Sequence, residues 1–481
     1  MGTFTALETS KRGLMAHQYA LNVTSNNINN VNTAGYSRRT TEMTETTPSS
    51  SVQGYVGTGV TADSLRTYRE EFFDKEIRSS LARQAGYDTD EKVYEKVEAI
   101  LAEPTKSGIG EVVHKFLSTF EDVADNPQNL SLRDFVVESA QTLTDRLHAT
   151  ASSLDATRND VLRDMSADVD SVNKLLSSIA ELNKSIENEY ASTGTAPQTY
   201  VDEREKAIEE LAEFTGATIT EDDNAQVNVY INGVNVVTGR IASTLRLDKT
   251  VNEVSGEITA QVSRVNSTGK VTESVSPTSG SMASQLKSYN SLLDPVDSSS
   301  DYSVYTELNE YVSTLAEKIN MISVSGYGLN DTGEIPPGRT FFDSSNGEIT
   351  AANITLNEEI AADSANLTLS DSAGEAGNNV KALEFARVAN DTTFNAAGQT
   401  HAEVYAGILG KVGTQYSDAQ SGVKTMQTVV DQLESQRDSM IGVDLDEEAI
   451  DLVKYQKAYE ASARVLNTTN EILQTLINLG A

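Results

Sequence analysis

Leu7, Leu14, Leu21 and Ile28 stand seven residues apart, and Leu452, Tyr459, Leu466 and Leu473 repeat that interval near the other end of the chain. A seven-residue repeat of large apolar side chains marks a coiled-coil helix, because it keeps one narrow stripe facing a partner. The spacing predicts a helix from about Thr3 to Asn30 and another from about Asp446 to Leu479. Small or polar residues accompany the second stripe at Gln456, Ala463 and Asn470. Four large side chains on about 28 residues bury too little surface to offset the entropy of ordering the helix. Both ends therefore need neighbours. No other segment of the sequence carries a spare matching seam, whereas further copies of the chain do.

A second layer of the same period lies inside these ends. Met165, Val169, Val172, Leu176, Ile179 and Ile186 alternate mostly at spacings of four and three within a helix expected from about Asp134 to Tyr190. Val412, Tyr416, Ala419, Val423, Met426, Val430, Leu433 and Met440 keep the same alternation. The matching periods predict two long helices packed antiparallel, with the middle of the chain inserted between them. Shorter amphipathic helices near Arg66–Leu101 and Ile109–Val123 complete a bundle, punctuated by Pro104 and by Asn126–Pro127.

The middle reads differently. After a helix at about Asp202–Phe214, "GATITEDDNAQVNVYINGVNVVTG" holds two alternating runs around Asn232–Gly233, a hairpin signal. Strand-like alternation continues to about Val275 and returns near Glu348–Leu369, interrupted by a helix at about Val304–Ser323 whose spacing leaves open whether it joins the bundle or the insert. Asp294–Asp301 has the composition of a linker. The expected fold is mainly α with an inserted β-rich domain. Residues 1–40 and 441–481 form a terminal coiled-coil domain, 41–193 and 396–440 a helical bundle, and 194–395 the insert.

The chemistry absent from the sequence narrows the function. With 37 basic and 71 acidic residues, the formal net charge is −34, which disfavours nucleic acid and anionic membrane surfaces as partners. There is no cysteine, so disulfides, thiolate metal sites and thiol nucleophiles are excluded. No apolar run reaches the roughly 18 residues that span a bilayer, and the N-terminus has no continuous apolar core of a secretory signal. That leaves the cytoplasm, or export by a route that does not read such a signal. The four histidines are scattered, and no metalloprotease, phosphate-loop or serine-elbow pattern occurs. Gly57-Thr-Gly59 reads as a turn before a strand, and the acid runs "EDDNAQ" and "DLDEE" lack the spacing of a calcium loop. No catalytic, cofactor or metal site is expected; interaction surface remains.

"SNNINNVNTAGYSRR" (residues 25–39) resembles the N-terminal signature of flagellar axial proteins, in which an Asn-rich helix end runs into a T-P-G-Y-type turn. Ala34 stands where that family usually has proline, so the helix stop rests on Asn32, Thr33 and Gly35. The tail "GVDLDEEAIDLVKYQKAYEASARVLNTTNEILQTLINL" resembles the C-terminal coil of the same family, most specifically from Asp446 to Val465 and including Tyr455 and Tyr459. "GYVGTGVTADSLRTYREEFF" and "FLSTFEDVADNPQNLSLRDFVVESAQTL" are similar to the members that join hook to filament. The resemblance is close over residues 1–220 and 400–481 and loose over the insert.

It implies a structural adaptor rather than an enzyme. Copies of the chain form one short ring of an extracellular helical tube, with the paired terminal helices innermost, the bundle next and the insert outward. The implied partners are other copies, the hook protein, the second junction protein and, before secretion through the flagellar type III channel, an export chaperone. No cofactor, nucleic acid or membrane insertion is implied. The competing readings are another axial protein, such as flagellin or the second junction protein, and an extracellular enzyme or adhesin whose activity sits in the insert.

On this resemblance the subunit contacts fall on Leu7, Leu14, Leu21, Asn27, Ile28, Asn32, Gly35, Tyr36, Arg38, Leu452, Tyr455, Tyr459, Leu466 and Leu473. Asn22, Asn26, Asn27, Asn29, Asn30 and Asn32 stand where helices of neighbouring subunits would pass, and short amides can donate and accept sideways without buried charge. Gly35 would allow a positive φ at the exit, and Tyr36 and Arg38 would anchor the chain as it leaves the coil. The alternative is a local helix cap with no role between subunits.

Overall fold

The computed structural model describes residues 2–33, 36–47, 49–51, 54–67, 70–101, 108–222, 225–252, 257–266, 268–296 and 302–480. Ala34, Gly35, Pro104 and the later part of the expected Asp294–Asp301 linker lie outside them. The chain divides into two compact units, one of Met1–Ala82, Asn173–Ser243 and Met426–Ala481, the other of Arg83–Val172 and Thr244–Thr425. The division falls inside three long helices, α2 (Glu71–Leu101), α4 (Leu130–Thr193) and α10 (His401–Ile441).

The first unit holds both chain ends. Helix α1 (Gly2–Asn29) packs along α11 (Leu445–Gly480) and against a hairpin of β1 (Arg39–Glu45) and β4 (Val60–Thr67). Arg39 pairs with Thr67 and Glu45 with Val60, with a register shift at Glu42/Met43. A shorter pair, β2 (Ser49–Ser51) and β3 (Gly54–Val56), sits between them in sequence. Gly57-Thr-Gly59 is the turn into β4: Gly59 has φ 107°, and a Cβ there would come within 3.3 Å of Thr9 of α1. Helix α5 (Gln198–Thr215) ends on Gly216 in the left-handed conformation. It is followed by an antiparallel meander of β5 (Thr218–Glu221), β6 (Val227–Ile231), β7 (Val234–Thr238) and β8 (Ile241–Ala242). Asn232 and Gly233 both have positive φ, as a two-residue hairpin turn requires. Buried Asn183 of α4 fastens the meander, donating to Val227 O at 2.8 Å and Gly239 O at 2.7 Å.

The second unit is built on one apolar core. Val97 and Leu101 of α2, Phe116 and Phe120 of α3 (Ile109–Asp125), Leu143 and Met165 of α4 and Val412 of α10 belong to it. Leu308, Leu315 and Ile319 of α7 (Val304–Val324) share it, as do Ala260 and Ile354 from the expected insert, so the helix packs on bundle and insert residues alike. Phe120 stacks on Phe385 at 4.5 Å, and Phe341 and Phe342 close the cluster. Three strands, β9 (Thr244–Val251), β10 (Ile258–Val265) and β11 (Val271–Val275), form an antiparallel sheet with β10 central, ahead of short α6 (Ser281–Lys287). Helix α10 runs antiparallel to α2: Tyr405 donates to Leu101 O at 2.9 Å, Gln420 reaches Glu91, and Gly422 lies against Tyr87.

The strand pattern expected over Glu348–Leu369 is mostly not a sheet. Only β13 (Ile354–Leu356) forms there, paired with β12 (Phe342–Ser344). Asn357 Oδ1 instead accepts from Glu359 N to open α8 (Glu358–Ala362), and Asp363 Oδ1 accepts from Ala365 N to open a short 3-10 turn. Such side chains divert the backbone from strand pairing. Buried Arg133 then donates to Leu367 O at 2.7 Å and Pro127 O at 2.6 Å. Helix α9 (Val380–Arg387) completes the unit. Among the described residues no helix is long and apolar enough to cross a membrane.

Candidate assembly site at the paired chain ends

Helices α1 and α11 lie antiparallel. Gly13 faces Ser462, the ring of His17 lies 6.5 Å from Tyr455, and Asn27 bonds Glu448. The buried face of α1 is Ser10, Gly13, Ala16, Ala20, Val23, Thr24 and Asn27, at helical spacings of three and four. Leu7, Leu14, Leu21 and Ile28 stand half-buried on the flank of that face, and Leu452, Tyr455, Tyr459, Leu466 and Leu473 are half-buried on α11. The helices thus meet over small side chains, which set a close interaxial distance. A Cβ on Gly13 would come within 3.3 Å of Ser462 Oγ. Reading the sequence for large apolar residues alone misses this face; the signal was present in Ser10, Gly13, Ala16 and Ala20.

The other side of the pair is open. Ile450 is 68% exposed, Val453 54%, Val465 52% and Ile472 47%, on the face of α11 opposite Tyr459 and Leu466. Phe4 and Met15 are exposed on α1.

At its C-terminal end α1 is tied to the start of α11 by a knot around Asn27. Its Nδ2 donates to Glu448 Oε2 at 3.0 Å and to Arg39 O at 2.8 Å, while its Oδ1 accepts from Tyr36 Oη at 2.8 Å and Arg39 N at 3.2 Å. All four hydrogen-bonding positions of the amide are used. Arg38 Nε donates to the buried Glu448 carboxylate at 2.9 Å, and its Nη1 pairs with Glu447 at 3.1 Å. Burial works against the Arg38 charge, yet the two glutamates outweigh it and hold the guanidinium above its ordinary pKa. Burial likewise raises Tyr36, with Arg39 opposing. Arg39 also bonds Asp202 of α5 at 2.8 Å. The "DLDEE" run is therefore a helix start, with Asp444 capping α11 by accepting Asp446 N at 2.8 Å, and its last glutamate is the centre of the knot.

The remaining asparagines have other roles. Asn32 is exposed and lines a cavity of about 360 Å³ with Tyr36, Asp74, Asp202, Glu209 and Arg437. Asn26 and Asn30 line a neighbouring cleft of about 380 Å³. Gly35 lies outside the described residues. In the first cavity, burial raises the Glu209 pKa, Arg437 opposes it, and Asp74 and Glu205 add to it. These carboxylates face arginines: Glu205 pairs with Arg78 at 3.1 Å, and Arg437 stands 3.9 Å from both Asp74 and Glu209. Among the described residues no group of three or more His, Cys, Asp or Glu side chains is arranged to hold a metal.

Known proteins share this plan. The family model described as "Flagellar hook-associated protein FlgK helical domain" matches residues 94–342. "Flagella basal body rod protein" matches residues 7–36, and "Flagellar basal body rod FlgEFG protein C-terminal" matches 434–479, the two segments that pair as α1 and α11. The chain is 28% identical to flagellar hook-associated protein 1 of Bacillus subtilis, across 99% of this chain and 98% of that protein. It is 23% identical to the Escherichia coli protein of the same name, across 98% and 99%. A solved structure of the flagellar hook junction protein FlgK from Burkholderia pseudomallei superposes with a TM-score of 0.62 at 13% identity, covering 76% of this chain and all of that one, which speaks to the fold alone. A helical body of that description, carried between termini of the rod-protein kind, makes this chain a member of the flagellar hook-associated protein FlgK family.

Proposed function

We propose that this chain, a structural protein of the flagellar hook–filament junction, joins hook to filament by helical self-assembly of its paired terminal helices. The observation that carries the reading is the apolar face of α11 left exposed at Ile450, Val453, Val465 and Ile472 while the opposite face is taken by α1. Exposed apolar surface of that extent on a paired helix marks an interface. Copies in a ring cover it, with residues 1–40 and 441–481 as the layer nearest the central channel. Leu7, Leu14, Leu21, Ile28, Leu466 and Leu473 flank the pair and meet neighbouring copies, and Asn32 contributes a lateral amide. The hook protein and the second junction protein abut the ring on either side. The chain reaches this extracellular position unfolded, through the flagellar export channel, after release from a chaperone. It performs no catalysis: the buried acids of the cavity beside Asn32 face arginines.

The test is deletion of the gene and complementation. Cells without it are expected to carry bare hooks and to lose flagellin to the medium; the wild-type gene restores filaments, and a Val465→Asp, Ile472→Asp double variant does not. Filaments on the deletion strain, or full rescue by the double variant, would overturn the proposal.

A further inference from the structure

The sequence holds two Asn–Gly steps, Asn232-Gly233 and Asn346-Gly347. Glycine has no side chain to shield its backbone nitrogen, so at such a step that nitrogen can attack the carbonyl carbon of the asparagine side chain. In sequence the two steps are equivalent; the fold separates them. Asn232 occupies a two-residue hairpin turn with φ 45°, and Ile231 pairs with Val234 across it. Setting Gly233 N over the Asn232 side chain would need a rotation about the Asn232 Cα–C bond that the closed ladder blocks.

Asn346 lies in the second unit, in the connection between β12 and β13. It lacks the positive φ of Asn232, and both it and Gly347 are exposed. Nearby Asn353, Asn357 and Asn366 spend their side-chain amides on protein groups. The Asn346 side chain and Gly347 N–H have no hydrogen-bond partner among the described residues. The Asn346 carbonyl oxygen, by contrast, accepts from Asn353 Nδ2 at 2.7 Å. When Gly347 N loses its proton, negative charge spreads onto that oxygen, and a donor already in place stabilises it.

We propose that Asn346-Gly347 is a self-modifying turn, whose reaction Asn353 assists by holding the peptide anion. Gly347 N gives its proton to solvent base and attacks Asn346 Cγ. The bond from Cγ to the side-chain nitrogen breaks, and that nitrogen leaves as ammonia. Water then opens the cyclic imide at either carbonyl, leaving an aspartyl or an isoaspartyl link. The isoaspartyl form adds a methylene to the main chain and displaces the carbonyl that Asn353 clamps together with Glu348 O. The modification is independent of the flagellar role.

The full-length chain is incubated in mildly alkaline buffer, its peptides are mapped by mass, and released ammonia is assayed in parallel. Asn346 is expected to modify at least about tenfold faster than Asn232, which the hairpin holds away from the geometry of attack. In urea the two are expected to modify at like rates, which assigns the difference to the fold. Asn353→Ala is expected to slow the reaction at Asn346 at least about tenfold, the weight of one hydrogen bond to a charged group. A residue that merely tightened the turn would, once removed, let it react faster. The proposal is overturned if Asn232 modifies as fast as Asn346 in the folded chain, if the preference for Asn346 persists in urea, or if Asn353→Ala accelerates the reaction.

Discussion

Asn27 and Glu448 stand 421 positions apart in sequence and 3.0 Å apart in space, joined by a buried side-chain hydrogen bond. The same carboxylate takes Arg38, and the same amide takes Tyr36 and the backbone of Arg39. Neither partner can be removed quietly. Truncating one member of a buried pair leaves the other desolvated and unpaired, at about 1–3 kcal/mol. Glu448→Ala is therefore expected to speed amide exchange in the first turns of α11 and in residues 36–45 by about tenfold or more, without changing protection around Phe116 and Phe120. Unchanged exchange at those positions would show that the knot does not hold the pair.

Asn32 provides a cleaner probe of assembly than Asn27. It is exposed, and exposed substitutions away from special features usually shift stability by less than about 0.5 kcal/mol. Asn32→Ala is expected to leave monomer unfolding unchanged and to reduce filament number on complemented cells. Asn27→Ala is expected to loosen the terminal pair before any neighbour is met. Normal filaments with Asn32→Ala would return Asn32 to the status of a local cap.

The two asparagines also show what the sequence reveals. Periodicity locates α1, α4 and α11 within a few residues, and the body but not the start of α10, because helix burial repeats along the chain. Asn232–Gly233 gives its hairpin because few residues tolerate positive φ at both turn positions. The pairing face of α1 is harder to see: hydrophobicity weights Leu7 and Leu14, whereas the approach of two helices is limited by the smallest residues, Gly13 and Ala16. The Asn27–Glu448 bond has no local signal at all, since it depends on two chain ends meeting. Over Glu348–Leu369 alternation misleads, because Asn357 and Asp363 spend their side chains on backbone caps.

Gly13 tests that close approach. Alanine there would press Ser462 Oγ at 3.3 Å, a contact that rotation of the serine relieves, and it gains helix propensity of about 1 kcal/mol. Gly13→Ala is expected to be neutral or mildly stabilising. Gly13→Leu has no such escape and is expected to part the helices, lowering disulfide yield between cysteines introduced at Ala20 and Tyr455 at least about fivefold. Equal yields for the leucine and alanine variants would mean that the pair is not set by small residues.

His17 makes the pair sensitive to acid. Its Nδ1 is buried without a hydrogen-bond partner, it lies beside Tyr455, and burial holds its pKa below that of a free imidazole. The unfolded segment therefore binds a proton more readily than the paired one. Stability is present above the free-imidazole pKa and is lost as pH falls through it towards the folded value. Lowering pH from about 7.5 to about 5.5 is expected to increase opening of α1, read as amide exchange corrected for its intrinsic rate, and His17→Phe is expected to remove that dependence. A pH response surviving in His17→Phe would assign it to other groups.

The sharpest contrast is between the ends and the second unit. The aromatic cluster of Phe116, Phe120, Phe341, Phe342 and Phe385 is fully buried, whereas α11 has only Glu448 and Thr469 buried among its described side chains and exposes Ile477 and Leu479. Helices that bury so little open at low cost, while the core opens only with the unit as a whole, at roughly 5–15 kcal/mol for a globular domain. In dilute monomer, residues 2–33 and 445–480 are expected to exchange within about a hundredfold of an unstructured chain, and amides of α3 at least about a thousandfold more slowly than the ends. Polymerised protein is expected to gain protection mainly at the ends. Protection at both ends equal to that of α3 in the monomer would mean that the chain completes its own termini and has no open seam to offer another copy.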